Sequence, residues 1–413
     1  MLDILIKNAS ELVTCKSKGP KTGRDLNALD IVTGGDLAIK GGRIVAVGDD
    51  IDESAKRVIN AAGKTVLPGF VDCHTHLVFS GSREDELALK INGADYLEIL
   101  SSGGGILRTV SSTRDAVFPE LASAALSRVK TASDYGTTTI EVKSGYGLDT
   151  VNEMKMLTVV ANLRTNRRAE LVPTFLGAHV VPPEFSGNRA SYVREILRMI
   201  EGLGKQPLAE YCDVFVEEGA FSVDEAREIL KRARDCGLKI KLHAGEFSDM
   251  GGVELGVEMK ATSIDHLDYV SEEGMRRMAE ERTIGVLLPG VPFHLMTGHY
   301  APARRLVESG VPIALATDFN PGSCPTLSMQ MVIALACRYM KLTAAEAINA
   351  STVNAAYAVD RGDRIGSLEV GRQADIIILD VPDHRQLPYW FGMNLVERVI
   401  KNGRIVRQSA DAL

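Results

Sequence analysis

The sequence predicts a distorted (β/α)8 TIM barrel with a small β-sandwich domain formed by both chain ends. Between residues 66 and 358, eight short apolar runs alternate with longer segments of helical spacing, which is typical of parallel βαβ units. That span of about 290 residues lies within the usual size range of such barrels. Histidines follow several of the apolar runs, whereas a doubly wound sheet would carry a glycine-rich GxGxxG turn after its first strand.

The two chain ends share a pattern that the middle lacks. Near the start, the runs ILIKNA, DLAIKGG and RIVAVGDD are rich in β-formers, and Gly41-Gly42 marks a hairpin turn. Near the end, ADIIILD precedes VERVIKNGRIVRQ, in which Asn402-Gly403 marks a second turn. We therefore expect residues 1–65 and 359–413 to pair into one small β domain, with the barrel at 66–358.

The barrel elements follow in order along the middle of the chain. The predicted strands cover 65–74, 137–142, 170–176, 212–216, 239–243, 262–266, 283–288 and 312–317. The clearest helical candidates between them cover 119–136, 190–203, 223–237, 272–281 and 300–310. The connection 77–118 is polar and glycine-rich, and connections of this length inside a compact domain are usually binding loops.

Composition excludes several classes of protein. The chain has 413 residues, of which 45% are hydrophobic and 24% charged, as in ordinary globular proteins. Its net charge of −7 and lack of a long basic run predict no nucleic-acid partner. No run approaches the roughly 20 apolar residues of a membrane span, so no membrane partner is expected. Six scattered cysteines and an N-terminus without a signal-peptide pattern favour the cytoplasm.

Polar side chains that bind metals stand at the ends of several predicted strands. His74 and His76 form an HxH pair whose side chains share one face of the first strand. His243, His266 and Asp318 end the fifth, sixth and eighth strands. An HxH pair by itself is more often a surface feature, but all these strand ends meet at one barrel mouth. Histidine nitrogens with one carboxylate suit zinc or iron, so we predict a metal site there.

The motifs at these positions resemble the amidohydrolase superfamily. The resemblance rests on VLPGFVDCHTH, on two later strands that end in histidine, and on TDFNPG and GSLEVGRQADIIILD. Within the superfamily, GSREDE, GGGI, EVKSGYG, FLGAH, HAGEF and IDHLDYV are similar to the imidazolonepropionase family, over about residues 66–330. That family hydrolyses the cyclic amide of 4-imidazolone-5-propanoate to N-formimino-L-glutamate, the third step of histidine degradation.

The resemblance implies a role for each candidate site residue. His74, His76, His243 and Asp318 would hold one zinc or iron ion per chain, and no organic cofactor is expected. Asp318, His266 and Glu246 would move protons during attack by a metal-activated water. The residues that would bind the small anionic substrate are Arg83, Tyr96, Tyr146, His179, Glu246, Asn320, Gly322 and Ser323.

Three of these residues also have an ordinary structural explanation. Arg83 lies among acidic neighbours in SREDE that would pair with it, and His179 by itself could be a core histidine. Glu246 could cap the following helix. Among these residues Arg83 suits a carboxylate best, because its guanidinium can form two parallel hydrogen bonds with one.

Three alternatives remain at the level of sequence. Some superfamily members hold two metals, for which Glu217 and Lys143 are the bridging candidates, although Lys143 is more simply an ion-pair partner of Glu141 or another carboxylate. The protein could instead be a deaminase or another cyclic-amide hydrolase on the same scaffold. A non-catalytic scaffold is the third alternative, disfavoured because all four metal ligands are present. A homodimer is expected, because two-fold dimers are common.

Overall fold

Eight parallel strands form the barrel. The computed structural model describes residues 1–93 and 104–409. Seven strands precede the barrel: β1 (Leu2–Ala9), β2 (Glu11–Val13), β3 (Ile31–Val32), β4 (Gly35–Lys40), β5 (Arg43–Gly48), β6 (Ala55–Asn60) and β7 (Thr65–Pro68). The barrel strands are β8 (Phe70–Asp72), β9 (Thr137–Lys143), β10 (Glu170–Ala178), β11 (Tyr211–Val216), β12 (Lys239–Ala244), β13 (Ser263–His266), β14 (Ile284–Leu287) and β15 (Ile313–Leu315). They pair in chain order from β8 to β15.

Contacts between the ends of β8 and β15 bring the first and last strands of the barrel together. The Thr317 amide and hydroxyl both donate to the carboxylate of Asp72, at 3.0 and 2.6 Å. One step further on, the Asp318 amide donates to the His74 carbonyl and the His76 amide donates to the Phe319 carbonyl. The predicted barrel is therefore confirmed, and its closure places the HxH segment beside Asp318.

The predicted first strand, 65–74, differs from the structure. It is divided at Gly69: β7 joins the small domain, and only β8 enters the barrel. Gly69 lies against the side chain of Thr138, so that a Cβ at this position would collide with it. The apolar run continues through the junction because both sides are buried, and for this reason composition alone does not reveal the division.

The chain ends form the predicted β-sandwich. The C-terminal strands are β16 (Ile376–Leu379), β17 (Val396–Lys401) and β18 (Arg404–Gln408). One sheet has the order β5-β4-β1-β6, and the other has the order β18-β17-β16-β7-β2-β3. Ile6, Leu37 and Ile39 of the first sheet pack with Ile376 and Ile378 of the second in one buried cluster. Both predicted hairpins are present, at Gly41-Gly42 and at Asn402-Gly403.

Helices surround the barrel. They span Glu84–Ile91, Ile106–Asp115, Phe118–Asp134, Thr150–Leu163, Arg189–Lys205, Val223–Asp235, Gly252–Glu258, Glu272–Glu281, Gly290–Leu295, Ala303–Glu308, Met329–Tyr339, Ala344–Ser351, Val353–Tyr357 and Gln386–Tyr389. Val223–Asp235 shows why they form: Ser222 caps it, and Ala226, Ile229, Leu230 and Ala233 make one buried stripe. Among the described helices, none has the length and apolarity needed to cross a bilayer.

Candidate metal centre and active site

His74, His76 and Asp318 meet at the barrel mouth. All three side chains are almost fully buried. The Nε2 atoms of His74 and His76 lie 3.4 and 3.3 Å from Asp318 Oδ1. This proximity follows from the backbone hydrogen bonds that link the ends of β8 and β15.

His243 and His266 complete the cluster. They end the neighbouring strands β12 and β13, where Ala244 is in register with His266. The His243 ring centroid lies 4.5 Å from that of His74 and 5.2 Å from that of His266. The potential ligand atoms fall into two groups, and within each group they all lie within 4.8 Å of one another. The groups are His74-His76-Asp318 and His74-His243-His266. The structure thus brings together the four predicted metal ligands and places His266 directly beside them.

The donor atoms of this cluster fit a cation. His74 Nδ1 lies 2.6 Å from Asp265 Oδ2, and since the carboxylate accepts, Nδ1 carries the proton. Burial and Lys143 lower the pKa of His74, but the neighbouring carboxylates of Asp265 and Asp318 outweigh them and raise it to about 9. Positive charge is therefore favoured between His74 Nε2 and Asp318 Oδ1. His74 Nε2, His243 Nε2 and Asp318 Oδ1 are buried without a hydrogen-bond partner, and a metal ion held between them would satisfy all three.

Buried carboxylates support the histidines from behind. Asp265 holds His74, and Asp213 Oδ2 lies 3.0 Å from His243 Nδ1. Lys143 Nζ lies 2.7 Å from Asp213, 2.9 Å from Glu141 and 3.8 Å from Asp265. The prediction that Lys143 is an ion-pair partner of Glu141 or another carboxylate is confirmed. Such partners orient metal-binding imidazoles and set which nitrogen is free.

Sequence reasoning missed Asp213 and Asp265. A signal was present, because each places a charge inside an apolar strand run, CDVFV and TSIDH. A charge at such a position must have a buried partner.

The backbone is strained at two of the site residues. His266 has φ 84° and Asp318 has φ 52°, both in the left-handed region that non-glycine residues rarely adopt. Such conformations cost of order 1–3 kcal/mol each and persist where the surroundings enforce them, often at functional sites. Here they turn each side chain from its strand end toward the cluster.

Glu246 lies over the cluster. Its Oε2 is 3.5 Å from His266 Nε2. Burial, and then the negative charge of Asp318, raise the pKa of Glu246 well above its usual range. The Glu246 carboxyl can therefore hold a proton at a position close to His266.

His179 and Tyr146 form one wall beside His76. The His179 ring stacks on His76 with centroids 5.1 Å apart, and the Tyr146 centroid lies 5.5 Å from that of His179. Burial, then the negative charge of Asp318, raises the pKa of Tyr146 above its usual range, so its hydroxyl keeps its proton and can donate.

The tautomer of His179 can be assigned. Burial, then the charge of His76, lowers its pKa to about 3, so the ring is neutral. Its Nδ1 lies 2.9 Å from the Gly145 carbonyl, which can only accept, so Nδ1 carries the proton. His179 Nε2 therefore offers a lone pair, and it can accept from a ligand N–H rather than donate to a carbonyl. Gly145 is required here, because at φ 105° a Cβ would meet His179 Nδ1 at 2.9 Å.

Arg83 lies at the other side of the mouth, already paired. Its Nε and Nη2 donate to the two carboxylate oxygens of Glu86 at 2.9 and 2.7 Å. The neighbouring acidic residues considered in the sequence analysis thus do supply a partner. Among the residues that the structure describes, Nη1 and the second Nη2 proton have no hydrogen-bond acceptor, so they remain to bind a ligand carboxylate.

The loop after Asp318 packs against Arg83. Asn320 Oδ1 accepts from the amides of Gly322 and Ser323, both at 2.8 Å, which folds the loop into a tight turn. Gly322 lies directly against the Arg83 guanidinium, where a side chain would collide with it. Asn320, Gly322, Ser323 and Arg83 are thus brought together, whereas Tyr96 lies outside the described residues.

The bridging candidates for a second metal are otherwise engaged. Glu217 Oε2 accepts from the amides of Phe247 and Ser248 at 2.9 and 3.2 Å, which fixes the HAGEF loop. In the part of the chain that the structure describes, the close groups of ligand atoms contain neither Glu217 nor Lys143.

Comparison with known proteins identifies the family. The Amidohydrolase family model matches residues 65–406. The imidazolonepropionase of Alkaliphilus metalliredigens is 47% identical over 98% of this chain and 98% of its own length. That of Geobacillus thermodenitrificans is 47% identical with the same coverage of both chains. This chain belongs to the imidazolonepropionase family of amidohydrolases.

Solved structures show the same fold as this imidazolonepropionase-family chain. A zinc-bound adenosine deaminase from Xanthomonas campestris superposes with a TM-score of 0.72 at 18% identity, over 98% of this chain and 93% of its own. An atrazine chlorohydrolase from Arthrobacter aurescens, complexed with zinc, gives 0.76 at 17% identity, over 98% and 95%. Together with the buried donor atoms, the family membership indicates a metal ion held by histidine and aspartate side chains.

Proposed function

We propose that this protein hydrolyses the cyclic amide of 4-imidazolone-5-propanoate to N-formimino-L-glutamate, the third step of histidine degradation. The observation that carries the proposal is the near-full-length identity of 43–47% to imidazolonepropionases of several bacteria. The geometry of the barrel mouth is consistent with this chemistry, since a metal-binding cluster faces groups suited to a small ring with a carboxylate tail.

His74, His76, His243 and Asp318 are proposed to hold one zinc or iron ion per chain, without an organic cofactor. When bound, such an ion acidifies a water molecule and thereby supplies a nucleophile at neutral pH. The chain's own contribution is to hold the ligand atoms in position. Asp265 fixes the tautomer of His74, and Asp213 lies where it orients His243.

Asp318, His266 and Glu246 would transfer the proton of the attacking water to the leaving nitrogen. Asp318, whose Oδ1 lies 3.4 and 3.3 Å from the Nε2 atoms of His74 and His76, would take the water's proton and pass it to the leaving ring nitrogen. His266 and Glu246 lie 3.5 Å apart beside it. They would orient the water and relay its proton to the ring nitrogen. The nitrogen then leaves as a neutral group when the C–N bond breaks.

The remaining residues would position the substrate. Tyr146 would donate its hydroxyl proton to the ring carbonyl and stabilise the negative charge that develops there. His179 Nε2 would accept from a ring N–H. Arg83 would bind the carboxylate tail through its free edge, and Asn320, Gly322 and Ser323 would line the same subsite; Tyr96 and Glu246 complete the proposed set.

Substitution of Asp318→Asn or His243→Ala tests the proposal. We expect ring opening of freshly generated imidazolonepropanoate, followed spectrophotometrically, to fall by about a thousandfold. Metal content per chain should fall in His243→Ala. Arg276→Gln is the matched control, because Arg276 forms only exposed ion pairs with Glu273 and Glu280. Undiminished turnover by metal-free variants would contradict the proposal.

We further propose a homodimer that works in the cytoplasm. All six cysteines lie within the described residues and are free thiols. Tyr389, Trp390 and Phe391 form an exposed aromatic surface beside Arg338, and surfaces of this kind are typical of protein–protein interfaces. Sedimentation of the wild type and of Phe391→Ser would test the dimer: a wild-type monomer would contradict it.

A further inference from the structure

Basic side chains converge around Gly322. Arg83 packs against this glycine, and Lys90 Nζ lies 3.5 Å from its carbonyl oxygen. Both cations come from the segment around helix Glu84–Ile91. The positive charges of Lys90 and Arg83 also contribute, after burial, to a lowered pKa of His294 on helix Gly290–Leu295. Three basic groups thus lie within electrostatic reach of one another beside the loop that follows Asp318.

The charge of Arg83 is already balanced. Glu86 is almost fully buried, pairs with Arg83 through both carboxylate oxygens, and also accepts from the Gly105 amide at 2.8 Å. The Arg83–Glu86 pair is therefore neutral overall. A substrate carboxylate that binds the free edge of Arg83 would bring a second negative charge to one guanidinium.

Within residues 1–93 and 104–409, the charge of Lys90 has no ion-pair partner. Lys90 is one helical turn after Glu86, yet among the described residues no carboxylate lies within ion-pair distance of its Nζ. The ammonium is directed instead at the Gly322 carbonyl. Partial burial, and then the positive charge of Arg83, lower the pKa of Lys90. A partly buried cation held next to another cation is unfavourable unless an anion joins them.

We propose that Lys90 is a specificity-determining residue that supplies the net positive charge for the carboxylate tail of the substrate, while Arg83 supplies its orientation. The inference rests on the proposed function and adds a residue to it. Arg83 is fixed in direction by Glu86, whereas the flexible Lys90 provides a charge that needs no fixed geometry. Because Gly322 has no side chain, the Arg83 guanidinium packs against it, and its carbonyl oxygen lies beside Lys90 Nζ, so both cations are held at one loop.

The experiment uses the metal-loaded enzyme and the variants Lys90→Met and Lys90→Arg. Removal of the charge in Lys90→Met should raise KM for imidazolonepropanoate about tenfold and change kcat less than about twofold, because the tail is remote from the reacting bond. Lys90→Arg should restore KM to within about threefold. Arg108→Gln is the matched control, since it removes a positive charge that pairs with Asp85 on the outer side of the same helix.

A pair of stable ligands separates this inference from the proposed function. Titration calorimetry with imidazole-4-propanoate and with its carboxamide measures the contribution of the tail charge without turnover. Lys90→Met should weaken the carboxylate ligand about tenfold and leave the carboxamide unchanged. Equal effects on both ligands, or none on either, would overturn the role of Lys90. If the metal-loaded wild type does not turn over imidazolonepropanoate, the proposed function is wrong. The affinities of the two ligands would still test the role of Lys90.

Discussion

Lys143 is a buried cation on which three carboxylates depend. Its Nζ contacts Asp213 and Glu141 and approaches Asp265, and all four side chains are fully buried. Burial, which lowers its pKa, is outweighed by Asp213 and then Glu141, so the pKa of Lys143 is raised and the amine stays charged. The same charge network fixes the two carboxylates that support His74 and His243.

Lys143→Met should therefore destabilise the protein and weaken the metal site together. Removal of one partner from a buried ionic network leaves uncompensated charge and typically costs about 3–5 kcal/mol. Urea unfolding and metal content per chain are the measurements. Lys231→Met, on the exposed side of helix Val223–Asp235, should change stability by less than about 0.5 kcal/mol. A Lys143→Met protein that keeps full stability and full metal content would refute the supporting role.

At the scale of elements, a helix carboxylate shapes the loop that carries Tyr146. Glu153, on helix Thr150–Leu163, is fully buried, and its Oε1 accepts from the amides of Gly147 and Leu148 at 2.8 and 2.9 Å. The Gly145 amide donates to the same carboxylate, at 3.1 and 3.2 Å from its two oxygens. The loop therefore wraps around one side chain, and this wrapping presents Tyr146 and the Gly145 carbonyl to the site.

Glu153→Gln should loosen this loop. The amide group of Gln has one acceptor oxygen, and its NH2 would face backbone donors, so we expect a loss of about 1–3 kcal/mol in the free energy of unfolding. KM for the ring-opening reaction should rise because Tyr146 and His179 lose their fixed positions. Glu228→Gln, exposed on helix Val223–Asp235, is the control. Unchanged unfolding and KM in Glu153→Gln would show that the loop holds its shape without this carboxylate.

At the scale of the whole molecule, metal binding should couple to stability, because the ligands come from strands at opposite ends of the barrel sequence. A ligand that binds only the folded state stabilises by about 2.7 kcal/mol at one hundred times its Kd. Removal of the metal by a chelator should therefore lower the melting temperature by about 5 °C, and added zinc or iron should restore it.

Two variants make this measurement specific. His243→Ala should abolish the response of the melting temperature to metal. His384→Ala removes the histidine of a separate group with Glu11 and Asp383, and it should leave the response intact. A response that depends on His384 rather than on His243 would place the stabilising metal away from the barrel mouth.

Much of this protein is determined by local sequence. Alternating apolar runs and helical segments predict the barrel, because each unit must bury one face of its helix and both faces of its strand. The hairpin turns at Gly41-Gly42 and Asn402-Gly403 predict the strands of the small domain. The histidines at the strand ends predict the metal centre, because parallel strands in a barrel share one rim.

Tertiary structure alone decided which distant residues contact one another, including the partners of the buried charges. The division at Gly69 depends on Thr138, the tautomer of His179 depends on Gly145, and the pairing of Lys143 with Asp213 joins residues 70 positions apart. Long-range pairing of this kind leaves no periodic signal in the chain, because a charge inside a strand requires a partner but does not specify which one. For the same reason Lys90 looks like an ordinary helix lysine until the fold brings it to Gly322.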